Sequence, residues 1–425
     1  MGSIEAAPAS AFLSRSPGDS SAPGRSSPVA GAPPLRELLR TAAELVPELR
    51  RRAVETESQR CVPEWTMAAF RDAGFFRLMQ PSAHGGFEYG FTALIDLISE
   101  LARGCTSSAW NCAIAVSHQW LIAGFPAQAQ ADVWHKHRDA VACASYAPTG
   151  SAQRCEGGQL ISGRWRFVSN VDHSEWAILG ASLPPRERNL PVESAFLLVP
   201  RTDWTVDDDW HVAGQAGTGS KCIVIEAPVF VPEHRLLSVS AVASGRSPGS
   251  QHNRHPLYRM PMLSAFPVCL LSPLLGTAFG AIEQFVELCG SRVTRGGIEG
   301  AGSRLHEFYP VQSRIAEATA LADAAQLLIQ RDTAEVERAV MQEQSLTLDQ
   351  RIRNRRDHAF AARLAREAVD VLFAAVGGEG LALSHPLQRM WRDANAIVRH
   401  ITLNWDAVSA MVGQHLLGLV PKGQY

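Results

Sequence analysis

Hydrophobic positions recur along this chain with two different periods, and the changes from one to the other divide it into three regions. From Leu35 the residues Leu38, Leu39, Ala42, Ala43, Leu45, Val46 and Leu49 fall at helical spacing with arginines and glutamates between them, which predicts an amphipathic helix bent at Pro47. Pro63 opens a second helix through Phe70, stopped at Ala73-Gly74. The glycine-rich stretch from Pro81 to Gly90 predicts a loop, and two further apolar helices are expected over Phe91 to Ala102 and Ser107 to Ala123. Between Ala140 and Pro232 the period shortens to two: Ile161, Gly163, Trp165 and Phe167 alternate with polar neighbours, and Gly157-Gly158 marks a hairpin. Beyond a polar connection from Ser238 to Arg254 the helical period returns. It predicts a buried apolar helix or broken pair over Leu263 to Cys289, long amphipathic helices over Tyr309 to Val340 and Asp357 to Ala375, and a last helix opened by His385-Pro386.

Helices, then strands, then helices is the order of an α+β fold rather than of alternating βαβ units. The expected division is a helical domain over residues 35–139, a β domain over 140–237 and a C-terminal helical bundle over 238–425. Residues 1–34 are rich in Ala, Ser, Pro and Gly, bury too little to offset the entropy of ordering, and are expected to form a disordered leader. No GxGxxG follows a strand, which argues against a Rossmann dinucleotide site. A formal net charge of -2 over 425 residues gives no electrostatic case for nucleic acid or an anionic membrane surface. The eight cysteines are scattered singly, without CxxC or His-Cys spacing, so buried thiols, no metal and a cytoplasmic setting are expected.

Candidate chemistry gathers at the ends of the expected strands. Ser169-Asn170, the polar run Asp172 to Glu175 and the turn Gly217-Thr218-Gly219-Ser220 place hydroxyls, amides and indoles where a rigid sheet can hold a planar ligand. Trp165, Phe167 and Trp176 suit either the wall of such a site or the sheet's own core. His118 sits inside an apolar helix, where a lone histidine is more often a satisfied core residue than a catalyst.

Four stretches carry a family resemblance: FRDAGFFRLMQPSAHGG from Phe70, GRWRFVSNVDHSEWAILGA from Gly163, GTGSKCIVIEAPVFVPEHR from Gly217 and HPLQRMWRDANAIVRH from His385. In content and order they resemble the flavin-dependent monooxygenases built on the acyl-CoA dehydrogenase fold, the oxygenase components of two-component hydroxyphenylacetate and dibenzothiophene systems among them. The resemblance implies an N-terminal helical domain, a middle β domain and a C-terminal four-helix bundle that assembles a homotetramer. It also implies reduced FMN or FAD delivered by a separate NAD(P)H:flavin reductase, dioxygen as co-substrate, and oxygen transfer from a flavin C4a-peroxide to a small organic, aromatic or polycyclic, substrate. By the same resemblance Ser169 lies at flavin N5, and Trp165, Phe167, Trp210, Thr218 and Ser220 line the cofactor. Arg292 corresponds to a phosphate contact and Gly377-Gly378 to a close backbone approach to a neighbouring subunit's flavin. Their plainer readings are a solvated cap and a helix C-terminus. His118 faces the flavin, while Ser145, Trp210 and His400 lie on the substrate side, with His118 and His400 able to move a proton.

Two relatives of the same fold set the alternatives. A true acyl-CoA dehydrogenase needs a carboxylate base, but neither RDANAIVRHITLN from Arg392 nor MLSAFPVCLLSPLLGTAFGAI from Met262 offers a glutamate. A flavin-free assembly protein would have no use for Ser169, Trp210, Ser220, Arg292 and His400 together. N-oxygenation and S-oxygenation remain open beside hydroxylation.

Overall fold

The computed structural model of the protein describes residues 29, 31–185, 192–292 and 304–425, so the expected leader falls outside them up to residue 28. The first region holds five helices: α1 (Leu35–Gln59), α2 (Glu64–Asp72), α3 (Phe91–Ala102), α4 (Thr106–Ile122) and α5 (Ala127–Trp134). Pro47 lies inside α1, and Pro63 stands at the N-cap position of α2, immediately before its first residue Glu64. The short helix α5, opened by Pro126, is not evident in the periodicity, because eight residues give barely two turns of pattern.

Among the described residues seven strands follow: β1 (Ala142–Cys155), β2 (Gly158–Val168), β3 (Trp176–Leu183), β4 (Glu193–Pro200), β5 (Thr205–Asp207), β6 (Lys221–Pro232) and β7 (Leu236–Ser238). They lie in the order β5-β6-β2-β1-β3-β4-β7. The long β1 changes partner along its length, running parallel to β3 from Ala142 to Ser145 and antiparallel to β2 from Ser151 to Cys155. The register shifts between Ser145 and Gly150, and there the Trp165 ring lies close against the backbone. A Cβ at Gly150 would stand 2.0 Å from that ring, so the close approach requires glycine.

The alternation expected through Phe167 breaks at a second irregularity. Ile161 and Trp165 point into the sheet core, but the β2–β6 register shifts between Trp165 and Val168. Phe167 adopts φ 62°, a conformation that is rare for an aromatic residue, and is 65% exposed.

The chain then forms the short helices α6 (Val239–Ala243) and α7 (Pro248–His252) inside what the composition marks as a connection. The expected buried helix is a broken pair, α8 (Met262–Ala265) and α9 (Val268–Ser291), interrupted at Pro267. Residues Met262–Gly290 are apolar and long enough to cross a membrane, yet the most apolar window is 94% buried within the protein. Helix α9 is the central pillar, packing on α3 and α4 as well as on the C-terminal helices α10 (Tyr309–Met341), α11 (Leu348–Val376) and α12 (Pro386–Ile397).

Helix α11 begins well before Asp357. Thr347 accepts the Gln350 N–H at 3.2 Å while the Gln350 side chain accepts the Thr347 N–H at 2.8 Å, a reciprocal cap that starts the helix in the polar run where periodicity is hidden. The expected last helix ends at Ile397, and a separate helix, α13 (Trp405–Leu416), follows the turn Ile401–Leu403.

Candidate active site

Every residue of α4 is buried, so its polar side chains must find partners inside the protein. Trp110, Ile114 and His118 share one face at i, i+4 and i+8, with their ends about 12 Å apart at the helical rise.

At the first end the Trp110 indole N–H donates to Ser169 Oγ at 2.9 Å. Ser169 Oγ lies 2.7 Å from Ser220 Oγ, which lies 2.7 Å from Thr218 Oγ1, and Thr218 donates its proton to the Gln215 carbonyl at 2.7 Å. That last bond fixes the direction of the chain. With the Thr218 proton committed, Ser220 donates to Thr218 and Ser169 donates to Ser220. Ser169 therefore has no proton left, and after accepting from Trp110 it keeps one lone pair open.

The turn that supplies this chain is clamped from three sides. Gln215 has φ 60°, and its backbone N–H donates to Asp393 Oδ1 of α12 at 2.6 Å. A Cβ on Gly217 would stand 2.6 Å from Thr56 Cγ2 of α1 and 3.0 Å from Ser107 Cβ of α4, so only glycine lets the turn pack there. Burial pushes the Asp393 carboxyl up to about 6, opposed by the Gln215 N–H and the Arg389 guanidinium. Gln215 is 6% exposed, and neither the oxygen nor the nitrogen of its buried side-chain amide has a partner among the described residues. Trp210 donates its indole N–H to the Gln215 carbonyl at 3.1 Å, and its ring meets Phe167 edge to face at 6.1 Å. The bulge thus carries Phe167 out of the core and onto Trp210 at the rim.

The two histidines are held in opposite tautomers. His400 caps the turn Ile401–Leu403, its Nδ1 accepting the Thr402 N–H at 3.2 Å, so the neutral ring carries its proton on Nε2. Its centroid lies 6.5 Å from Trp110, and burial, aided by the Arg355 charge, brings its pKa down to about 4. His118, at the other end of the α4 face, lies 2.6 Å from the Ala142 carbonyl, which can only accept. Its Nδ1 therefore carries the proton, and Nε2 accepts the Tyr146 hydroxyl at 2.8 Å. The His118 ring stacks on Phe266 at 6.2 Å, and burial lowers its pKa to about 4 as well.

Two expectations change. Trp165 is wholly enclosed in the sheet core and donates to the Gly180 carbonyl at 2.8 Å, so its ring packs strands together and is not a cofactor wall. Ser145 donates to the Arg166 carbonyl at 3.0 Å. Arg292 reaches the residues on either side of the Gly377-Gly378 pair. Arg292 donates to the Val376 carbonyl at 2.8 Å and pairs with Glu379 at 2.9 Å, while nothing lies within 4 Å of a Cβ built on either glycine. Trp110, Tyr146, Gln215 and Asp393 are not singled out by the sequence patterns. The available signal was the run of polar residues inside an otherwise apolar helix, which marks buried groups in need of partners.

Residues 34–136 match the acyl-CoA dehydrogenase N-terminal domain family and residues 268–405 the acyl-CoA dehydrogenase C-terminal domain family. The chain is 43% identical over 382 residues to the FADH(2)-dependent resorcinol hydroxylase oxygenase component of Rhizobium sp. (strain MTP-10005), covering 88% of this chain and 93% of that protein. It is 37% identical over 375 residues to the flavin-dependent monooxygenase oxygenase subunit HsaA of Rhodococcus jostii (strain RHA1), covering 88% and 97%. This chain belongs to the flavin-dependent monooxygenases of the acyl-CoA dehydrogenase fold. The crystal structure of the HsaA monooxygenase from M. tuberculosis superposes on this monooxygenase with a TM-score of 0.86 at 32% identity, covering 92% of this chain and all of that one. XiaF from Streptomyces sp., solved in complex with FADH2 and glycerol, superposes with a TM-score of 0.83 at 28% identity, covering 92% and 97%. As an oxygenase component the monooxygenase uses reduced flavin and dioxygen, takes a small-molecule substrate and depends on a separate flavin reductase.

Proposed function

We propose that this monooxygenase hydroxylates a small aromatic substrate that already carries a hydroxyl group, in a slot along the Trp110–Ile114–His118 face of α4. The observation that carries the reading is the pair of histidines in opposite tautomers: one presents a hydrogen-bond donor, and the other accepts through a tyrosine. Trp110, Ile114 and Phe266 supply apolar walls for a flat ring. The names of the relatives agree in kind, since one acts on resorcinol and another, from Acinetobacter baumannii, is a p-hydroxyphenylacetate 3-hydroxylase.

The residues at the hydroxyl chain fit a flavin. The open lone pair of Ser169 suits a donor such as the N5–H that a flavin carries only when reduced, and the unpartnered Gln215 amide offers both a donor and an acceptor to the ring's polar edge. Trp210, Phe167, Thr218 and Ser220 would complete that wall. When bound, reduced flavin supplies the electrons that activate dioxygen. The protein's own part is positional: His400 Nε2–H holds an oxygen atom of the substrate in place, and Tyr146 accepts the substrate's hydroxyl proton while giving its own to His118. Ser145 precedes Tyr146 on β1, but its hydroxyl is committed to the Arg166 carbonyl and strand alternation turns it away from the face that carries Ala142, Ala144 and Tyr146, so it has no part in this reading.

Assembly completes the reading. Leu327, Leu381 and Leu383 are 58%, 77% and 73% exposed on the C-terminal helices and their connections, and a homotetramer would cover such a surface. The open space above Gly377 and Gly378, edged by Arg292, would then receive the phosphate end of a neighbouring subunit's flavin. Light scattering of the purified protein is expected to give four times the chain mass. A monomer that binds flavin and turns over excludes this arrangement. The free thiols of all eight cysteines support a reducing, cytoplasmic setting.

The deciding experiment separates the reductive and oxidative halves. With NADH, flavin and a phenolic substrate alone the protein should neither consume NADH nor form product. Chemically reduced flavin, added with oxygen and substrate, should restore hydroxylation. Steady NADH oxidation by this polypeptide without a reductase would overturn the reading.

A further inference from the structure

Behind His400 lies a buried arginine without a carboxylate partner among the described residues. Arg355, on α11, is 5% exposed. It donates through Nη2 to the Thr402 carbonyl at 3.0 Å and through Nε to the Gln424 carbonyl at 3.3 Å, while Nη1 is buried without a partner. Asn354 and His358 share this face of α11, 1% and 0% exposed, and their side-chain nitrogens and oxygen are also unpartnered. The neighbouring Asp357 does not neutralise Arg355, because its oxygens are taken by Arg331 and Arg356.

An arginine held in this way is costly to bury, and stability does not explain it, since an apolar residue of similar size would fill the space more cheaply. What it touches does explain it. Thr402 is the residue whose N–H fixes His400 Nδ1, and Arg355 holds the carbonyl of the same residue. The guanidinium thus pins both the turn Ile401–Leu403 and the C-terminal tail at Gln424 to the bundle. We propose that Arg355 is a positioning residue for His400, fixing through Thr402 which imidazole nitrogen faces the pocket and so the direction in which His400 hydrogen-bonds to substrate. Its charge acts in the same sense. Desolvation is the larger cause of the low His400 pKa and Arg355 is the charged group that adds to it, while Trp110, across the ring, is uncharged. Both effects favour a neutral ring that donates from Nε2.

The consequence for chemistry rests on the hydroxylase reading above, but the geometry can be tested without it. In the flavin-free protein, imidazole ¹⁵N shifts distinguish the two tautomers and follow the titration of His400, assigned by its loss in His400→Gln. The wild-type ring should be the Nε2–H form down to below pH 5. In Arg355→Met the ring should become a mixture of tautomers, and its midpoint should move part of the way from about 4 toward the ordinary 6.5. In Arg355→Gln, which can still donate to Thr402 but carries no charge, the tautomer should persist while the midpoint rises. If Arg355→Met does not fold, Arg355→Gln still decides, because a mixed tautomer or an unmoved midpoint there overturns the proposal. An unchanged tautomer in a folded Arg355→Met overturns it equally. Either failure leaves the oxygenase reading standing, and failure to hydroxylate any phenol would leave these shifts as they are.

Discussion

Replacing Tyr146 with Phe, or His118 with Gln, should lower the rate of substrate hydroxylation at pH 7 by roughly 10²-fold or more, the usual scale for losing a general acid–base group. Binding of reduced flavin should change little, because both side chains sit at the opposite end of the α4 face from Ser169. A phenol must release its hydroxyl proton as its ring accepts an oxygen atom, and the Tyr146 oxygen, its own proton directed to His118 Nε2, can receive it. The Phe variant keeps the packing against Phe196 and Phe266 and removes only the relay. The deficit should shrink at alkaline pH, where the substrate is already ionised. The sign of the wild-type profile follows from the lowered pKa: His118 is neutral, and able to accept, above about 4, so no acid limb near 6.5 should belong to it. Rapid-quench product formation from pH 5.5 to 9 checks both statements. A Tyr146→Phe enzyme that hydroxylates at the wild-type rate at pH 7 removes the relay from the mechanism.

Changing Ser169 to Ala should cost the protein its preference for reduced over oxidised flavin by about tenfold, equivalent to ~1.4 kcal/mol. The hydroxyl chain runs from Ser169 through Ser220 and Thr218 to the Gln215 carbonyl, so to a flavin bound as proposed Ser169 would offer a lone pair and not a proton. In the proposed site reduced flavin would meet that lone pair with N5–H, whereas oxidised flavin would meet it with a lone pair of its own. The alanine variant therefore weakens the first and relieves the second. It also strands the Trp110 indole N–H in a buried site, which should lower stability by about 1–3 kcal/mol. Product formed per flavin oxidised should fall, the remainder appearing as hydrogen peroxide. Anaerobic titrations with each redox form measure the ratio. A ratio that rises, or does not move, means that the hydroxyl chain points the other way.

The two periods along the chain determined the α+β order of elements, because burial of one face is a local demand that each segment meets on its own. The hydroxyls of Ser169, Thr218 and Ser220 could be picked out for the same reason, since polar residues at strand ends and in a glycine turn have few alternative places to go. Local pattern also misled. Trp165 and Phe167 occupy equivalent positions by alternation, yet one is core and the other is rim, because the register shift against β6 is a property of two strands together. His118 and His400 are likewise the same letter in the sequence. Their opposite tautomers were set by a carbonyl of β1 and by an N–H of the turn after α12, and Arg355, Tyr146, Gln215 and Asp393 entered through contacts across the fold. Hydrophobic burial can be read one segment at a time. The direction of a hydrogen bond depends on what stands opposite, and only the tertiary structure supplies that partner.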